Sequence, residues 1–585
     1  MSEVMTALRT ARAAGALTDI SFHFADLLNR LDAKAADSVI LVAAIVGEAA
    51  VSGQIRADLD EVAARPLFEG KAGAGFVAPP VERWKKELSE SKVVGGETEK
   101  TPLVLSEGRY VYLRRYFDLE QRLAHLLFDF SKHPSAAADS PTVDEALEML
   151  FGSDPASEGQ RLAARNALHH RFSIISGGPG TGKTAAVMRI LTLLWQFSDV
   201  SPGRTLLCAP TGKAAARLRA AASAYLENTS TAEGFSPDAL TIHRLLGWQP
   251  GGRFRYHKDR KLPCDLLVLD EASMVDISLL VHLLEALPHS ARVILLGDRD
   301  QLASVEAGAV LGDICRAGDE MVWRGGLKPL THHWRFGAGS AIATLAGAVR
   351  EGKASIADDL LDAETDGQVC FVSLAPGEEI DALLAERVIP FYAEIQSQLQ
   401  AGQSFANLFR LLEEVMVLCA HRYGPRGMVE INRKIMAVLA PGPMASEDDA
   451  YPGMPLMVTR NDPGLDLFNG DIGIVIRDGH SSSLHAVFPR AEGGVHSVSM
   501  RRLPEYQPAY AFTVHKAQGS QAQKVFFVLP ETDSRVLTRE LVYTGITRAR
   551  TTVEVWGARE VLVPAVEKTA ARPTGLVERL RSLRA

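Results

Sequence analysis

The chain has 585 residues, too many for one hydrophobic core, so three or four domains are expected. Hydrophobic residues make up 46% and charged residues 23%, which excludes an intrinsically disordered protein. A net charge of −8 excludes nucleic-acid binding by bulk basicity and leaves only a local groove for it.

Leu17 to Leu31 and the apolar run Asp37 to Ala50 read as helices. Two polar breaks follow, Val93 to Pro102 and Ser131 to Val143, and the stretch between them, LVLSEGRYVYLRRYF, alternates as a β-hairpin does. No catalytic constellation precedes residue 150, so residues 1–145 read as a docking or scaffold domain, mainly helical. From Ser173 the texture becomes an alternation of short β runs and helices. Phe172–Ser176, Thr205–Ala209, Leu266–Leu269 and Val293–Leu296 each run into a Gly, Pro or acidic turn and then a helical pattern. That βα rhythm belongs to a parallel sheet covered by helices, with chemistry at the carboxyl ends of its strands. The α/β fold class therefore covers a first domain at 146–355. A second, at 356–585, starts its sheet near Val415 and resumes from Ala511. Short strands and Gly turns between Pro452 and Arg502, including Asn469-Gly470 and Gly493-Gly494, read as a small SH3-like β-barrel at about 452–505.

Gly177-Gly178-Pro179-Gly180-Thr181-Gly182-Lys183-Thr184 fits G-x-x-x-x-G-K-[ST] between a strand and a helix. Glycines let backbone N–H groups close around phosphates, and the helix N-terminus adds positive potential. Lys183 is expected on the β/γ-phosphates of ATP and the Thr184 hydroxyl on Mg²⁺. The strand Leu266–Leu269 ends in Asp270 and Glu271, one carboxylate to position Mg²⁺ and the other to polarise the attacking water. Gln301, after the third strand, is placed to sense the γ-phosphate or a water. Once Asp270 and Glu271 are assigned, no clustered carboxylate motif is left for a nuclease.

The five cysteines, Cys208, Cys264, Cys315, Cys370 and Cys419, form no CxxC pair or Cys/His cluster, which argues against a zinc or iron–sulfur site. The opening residues lack the apolar run of a signal peptide, and no stretch approaches the ~20 apolar residues of a membrane span. A cytoplasmic protein without a membrane partner is the expectation.

GGPGTGKT, APTGKAAARL, TIHRLLG, LDEASMVD, LLGDRDQL, WRF, FTVHKAQGSQ and VYTGITRAR stand in the order of the superfamily 1 helicase motifs. Their wording most resembles the RecD family, the alpha subunits of exonuclease V (RecBCD). The resemblance spans residues 160 to 550, and the first 150 residues resemble the family's amino-terminal domain in pattern.

The resemblance implies two RecA-like P-loop motor domains with ATP between them and a 5′-to-3′ DNA helicase within a nuclease complex. RecB and RecC would be its partners in a heterotrimer working on single-stranded DNA and duplex ends. It assigns Gln160 to reading adenine and Trp334 to stacking on it, although the family usually has Tyr there, which leaves the base contact open. Arg335 and Arg548 match the two arginines that reach the γ-phosphate across the cleft. DNA contacts are expected from Pro210, Thr211, Gly212, Lys213 and His243 in the first domain. In the second they are expected from Thr513, His515, Lys516 and Ser520. His243 and His515 also read as satisfied structural histidines. The basic stretch Arg253 to Lys261 reads either as a hairpin at the point of strand separation or as a solvated loop. Two competing readings are a free-standing RecD-like helicase, which often carries a longer amino-terminal region, and a P-loop switch without turnover. Glu271, Gln301, Arg335 and Arg548 speak against the switch.

Overall fold

The computed structural model describes residues 3–68, 76–132, 140–227, 234–249, 251–303, 308–320, 323, 326–332, 334, 340–362, 367–440, 442, 450–462, 464–478, 483–490, 494–570 and 574–584. Helices Glu3–Ala13, Asp19–Leu31 and Asp37–Val51 come first, and the last is buried almost all round, as its unbroken apolar run requires. The expected hairpin pairs Leu103–Ser106 with Tyr110–Leu113. In the three-residue connection 107–109, Glu107 (φ 53°) and Gly108 (φ 62°) both take the left-handed conformation that reverses the chain tightly. Arg56–Asp58 and Val94–Gly95 complete a four-stranded sheet around that hairpin.

The first α/β unit has a six-stranded sheet in the order Gly326–Leu330, Phe172–Gly177, Arg292–Gly297, Leu266–Leu269, Thr205–Ala209, Ala239–Thr241. Every pairing in it is parallel. Leu267 and Leu269 face one layer of the core while Leu266 and Val268 face the other, so the strands are apolar throughout.

Two helices distant in sequence cover one face of that sheet. Arg114–Ser131 supplies Leu119, Leu123, Ala124 and Leu127 to the same core as Val293 and Leu295, and Leu576–Arg584 adds Leu576, Val577 and Leu580. Fully buried Glu120 joins the two helices, accepting hydrogen bonds from Arg579 Nε (2.6 Å) and the Gly575 amide (2.7 Å). The expected division at residue 145 therefore leaves a core helix of the first unit on the wrong side. The expected 356–585 span likewise includes a terminal helix that covers the first sheet. An amphipathic helix does not record which sheet it covers.

The second unit has five parallel strands in the order Val369–Ser373, Ala549–Gly557, Ala522–Val528, Val415–Cys419, Ala511–Thr513. Between the last two lies a five-stranded antiparallel sheet ordered Val495–Ser499, Leu484–Pro489, Ile472–Arg477, Pro455–Val458, Tyr506–Pro508. Leu456, Ile474 and Phe488 continue the apolar layer formed by Val417, Phe526 and Trp556. Among the described residues no helix is long and apolar enough to cross a membrane.

Candidate nucleotide cleft and nucleic-acid face

The phosphate loop leaves the buried strand Phe172–Gly177 and ends at Gly182, the left-handed N-cap (φ 79°) of helix Lys183–Phe197. A Cβ at Gly182 would lie 2.9 Å from Gln160 Nε2 and 3.1 Å from Trp334 Cδ1, so conformation and space both demand glycine. Lys183 Nζ donates to the Gly177 carbonyl and to that of Gly178 at 3.2 Å, which places its ammonium across the mouth of the loop. The Thr181 hydroxyl donates to the Gly178 carbonyl (2.8 Å), and Trp334 closes the rim by donating its amide to Gly180 (2.8 Å).

Asp270 follows the next-but-one strand and accepts from the Thr184 hydroxyl at 3.5 Å and from the Glu271 amide at 2.8 Å. Burial first, and then the charge of Glu271, push its carboxyl up to about 6. Glu271 has φ 52°, which turns the chain sharply just after the strand. Two adjacent acids, one buried and raised, make a site short of positive charge. With a threonine hydroxyl beside them, the donors are the hard oxygens that suit Mg²⁺. Among the described residues no group of three or more His, Cys, Asp or Glu gathers to form a closed metal site.

A cavity of about 780 Å³ opens beside the loop, lined by Glu158, Gln160, Leu162, Lys328, His332 and Trp334 among others. Gln160 is buried and donates to the Thr181 carbonyl at 3.5 Å, which ties it to the phosphate loop. Trp334 is half-exposed, and His332 meets its ring edge-on with centroids 4.7 Å apart. The cavity thus presents an aromatic face and an amide to a flat heterocycle, next to the loop that receives phosphates. Arg335 lies outside the described residues.

Arg548 comes from the second unit and is 2% exposed. Its Nε donates to the Thr544 carbonyl (3.0 Å) and Nη1 to that of Ser520 (3.4 Å), while Nη2 is buried without a partner among the described residues. Burial lowers its pKa, and the charges of Glu271 and Asp298, both in the first unit, oppose that fall. A guanidinium donor buried without a partner at this seam fits an anionic oxygen.

The loop after strand Arg292–Gly297 is gripped from the second unit. Gln301 Nε2 donates to Asp298 (3.0 Å), which also accepts from the Tyr543 hydroxyl (3.0 Å). The Leu302 amide donates to the Thr544 hydroxyl (2.9 Å), and its carbonyl accepts from Gln518 Nε2 (2.6 Å). Asp298, Gln518, Tyr543 and Thr544 escape sequence reasoning, since each acts on a residue more than two hundred positions away or through one that does. All four lie inside recognised motifs, and that proximity is the only signal they offer.

The expected DNA-contact residues lie after strands of the two sheets. Pro210 and Gly212 follow Thr205–Ala209, and Thr211 caps helix Gly212–Leu226 by accepting from the Ala214 amide (3.2 Å). Burial, then Arg217, push Lys213 down to about 8. His243 is exposed, with its ring 6.0 Å from that of Phe254. Thr513 ends its strand and accepts from the Lys516 amide (3.4 Å). Lys516 Nζ donates to Gln507 (2.9 Å), and burial lowers its pKa. His515 is half-buried, whereas Ser520 is buried and turns its carbonyl to Arg548.

The basic stretch forms a hairpin: Trp248–Gln249 pairs with Arg253–Phe254, and His257 bridges Arg260 beyond it. Phe254 packs against His282 (5.5 Å) and so anchors the hairpin, while Trp248, its partner across the two strands, stands exposed.

Residues 13–112 match the family model described as RecBCD enzyme subunit RecD, N-terminal domain. Residues 160–307 match an AAA domain and 508–555 a UvrD-like helicase C-terminal domain. The RecBCD enzyme subunit RecD of Mycolicibacterium smegmatis is 37% identical over 572 residues, covering 96% of this chain and 96% of that protein. The chain belongs to the RecD family. Another relative is the ATP-dependent RecD2 DNA helicase of Deinococcus radiodurans, 32% identical over 86% of this chain but only 63% of its own length. Among solved structures, Bacteroides Pif1 bound to ssDNA aligns with a TM-score of 0.39 at 17% identity, over 73% of this chain and 94% of that one. RecD family membership covers the cleft and the amino-terminal region alike.

Proposed function

We propose that this chain is an ATP-dependent DNA helicase acting as the RecD subunit of RecBCD, in a heterotrimer with RecB and RecC. It works from duplex ends in double-strand break repair and recombination and moves 5′ to 3′ along the single strand it holds. The observation that carries this reading is that buried Arg548 of the second sheet feels the charge of Glu271 in the first, where Glu271 adjoins Asp270 and Asp270 in turn feels Lys183. A switch that only binds nucleotide has no need of a buried arginine facing the hydrolytic acids. The match of residues 13–112 to the amino-terminal domain of the RecBCD subunit RecD, with 37% identity to a RecD subunit along most of the chain, favours the complex over a free-standing enzyme.

In this reading the two sheets are RecA-like motor domains and the inserted antiparallel sheet is an SH3-like barrel. Lys183 exchanges its loop carbonyls for the β- and γ-phosphates, and Glu271 orients and polarises the attacking water. Thr184 and Asp270 would hold Mg²⁺, which when bound neutralises phosphate charge and lowers the energy of the hydrolytic transition state. Gln160 and Trp334 hold the adenine, and Arg335 and Arg548 meet charge that develops on the γ-phosphoryl group. Gln301 carries the change to the second domain through Asp298 and Tyr543.

The DNA strand crosses both sheets over Pro210, Thr211, Gly212, Lys213, His243, Thr513, His515, Lys516 and Ser520, with contacts to phosphates that need no base sequence. The hairpin at 248–254 stands where the duplex parts. Residues 1–113 dock on RecC, and the exposed Ile20, Leu27 and Leu31, along one side of helix Asp19–Leu31, suit that contact. The five cysteines, none in a disulfide, suit a cytoplasmic site of action.

Unwinding of duplexes with a single 5′ or 3′ tail tests the proposal. Opening of the 5′-tailed duplex alone is expected, opening of the 3′-tailed duplex alone overturns the polarity, and an ATPase indifferent to DNA overturns the helicase.

A further inference from the structure

Helix Gly212–Leu226 begins in the loop expected on the DNA strand, and its residues Lys213 and Arg217, four apart, share one side of it. Arg217 Nη1 donates to the carbonyl of Gly519, in the other sheet domain. Gly519 (φ 71°) sits in the turn Gln518–Ser520, directly after the second expected strand contact at Thr513–Lys516.

Three grips converge on that turn. Gln518 holds the Leu302 carbonyl beside Gln301 (2.6 Å), Arg548 holds the Ser520 carbonyl (3.4 Å), and Arg217 holds Gly519 between them. The Arg217 guanidinium also lies in the field of Glu271 and Asp270, with Arg550 opposing. One side chain thus touches the turn that seats Arg548 and feels the acids that activate water, while its helix starts at the strand.

We propose that Arg217 is the positioning residue that couples DNA occupancy to ATP hydrolysis, by passing movement of helix Gly212–Leu226 to the 518–520 turn and so to Arg548. A strand phosphate pulling on the helix's first turn shifts Arg217. The Gly519 carbonyl follows, because a charge-assisted hydrogen bond resists stretching more than a neutral one. The Ser520 carbonyl moves with it and re-aims the Arg548 guanidinium along the seam. This inference rests on the chain being a DNA-driven ATPase.

The test is steady-state ATPase activity of the full chain with and without oligothymidylate, for the parent, Arg217→Met, Arg217→Gln and Arg217→Lys. Binding of labelled oligothymidylate without nucleotide and thermal melting are measured in parallel. In Arg217→Met the kcat at saturating DNA is expected to fall about ten-fold or more, within the range of coupling between linked sites. Its DNA-free rate and its affinity for oligothymidylate are expected within about three-fold of the parent, a split that general loosening of the fold does not give. Arg217→Lys, which keeps a charged donor, should recover part of the stimulation.

Stimulation within about two-fold of the parent in folded Arg217→Met overturns the inference. So does an equal loss of the DNA-free rate, which would place Arg217 in the hydrolytic step itself. If Arg217→Met does not fold, Arg217→Gln, which removes the charge and keeps a donor, carries the test: a fall of less than about three-fold in stimulation overturns it. A parent chain without DNA stimulation would instead overturn the helicase reading on which the inference stands.

Discussion

The two α/β units share a parallel-sheet scaffold and differ in what they bring to the seam between them: the first adds a group of acids to Lys183, the second a buried guanidinium. In the first, the strands Leu266–Leu269 and Arg292–Gly297 end in Asp270, Glu271 and Asp298, and burial raises the Asp270 carboxyl to about 6. In the second, Lys516 follows strand Ala511–Thr513, and the buried Arg548 stands just ahead of strand Ala549–Gly557. Acids on one side and, among the described residues, a guanidinium nitrogen without a partner on the other make a seam whose charges suit a polyphosphate and its cation. The second sheet also accepts an insertion of a whole antiparallel sheet, and its topology shows why. The insertion enters before Ala511–Thr513, an edge strand of three residues paired on one side only, so it interrupts no interior hydrogen bonding.

The sharpest way to break this comparison is to remove the cation of the first unit. Lys183→Gln is expected to lower ATP hydrolysis by at least about 10³-fold with an unchanged melting profile, because Lys183 acts on phosphate charge and packs little. Near-normal DNA-dependent turnover in the folded variant would end the motor reading. Removing the cation of the second unit should act differently. Arg548→Ala is expected to keep nucleotide affinity within a few-fold while kcat falls ~10³-fold, the signature of a charge used in the transition state. Lost affinity at unchanged kcat, read by nucleotide titration beside turnover, would place Arg548 elsewhere.

The strand face gives smaller effects. Lys516→Ala should weaken oligonucleotide binding by a similar factor, roughly five-fold, for every base sequence, and lower the salt slope by about one ion. A defect confined to certain sequences contradicts contact with the backbone. The smallest effect is a pH dependence from Lys213 in the first unit. Its pKa is lowered to about 8, so the ammonium is charged below that pH and loses its proton above it. Affinity for a single strand should therefore drop about three-fold from pH 7 to pH 9 at constant ionic strength, as one phosphate partner is neutralised. Lys213→Met should bind more weakly at pH 7 and lose that part of the dependence, and an undiminished pH slope in it would assign the titration to another group.

The residues alone determined the parts of this protein whose physics is local. A phosphate loop needs eight consecutive residues between a strand and a helix, so 177–184 was legible, as was Asp270 at the end of an unbroken apolar strand. The alternation along LVLSEGRYVYLRRYF prescribed its hairpin for the same reason. What tertiary structure decided are relations between distant segments. Glu120 is an acid on an amphipathic helix until Arg579, 459 positions later, lies 2.6 Å from it inside the core of the first unit. That contact moves Arg114–Ser131 and Leu576–Arg584 into the first unit, and a deletion at residue 140 would strip Leu119, Leu123 and Leu127 from its core. Arg217, likewise, reads as one more arginine in an alanine-rich helix until Gly519, 302 positions away, meets it. Periodicity reports that a helix has a face to bury, but the surface that buries it is chosen by the packing of the whole chain, where side-chain shape and the pairing of buried charges are settled together.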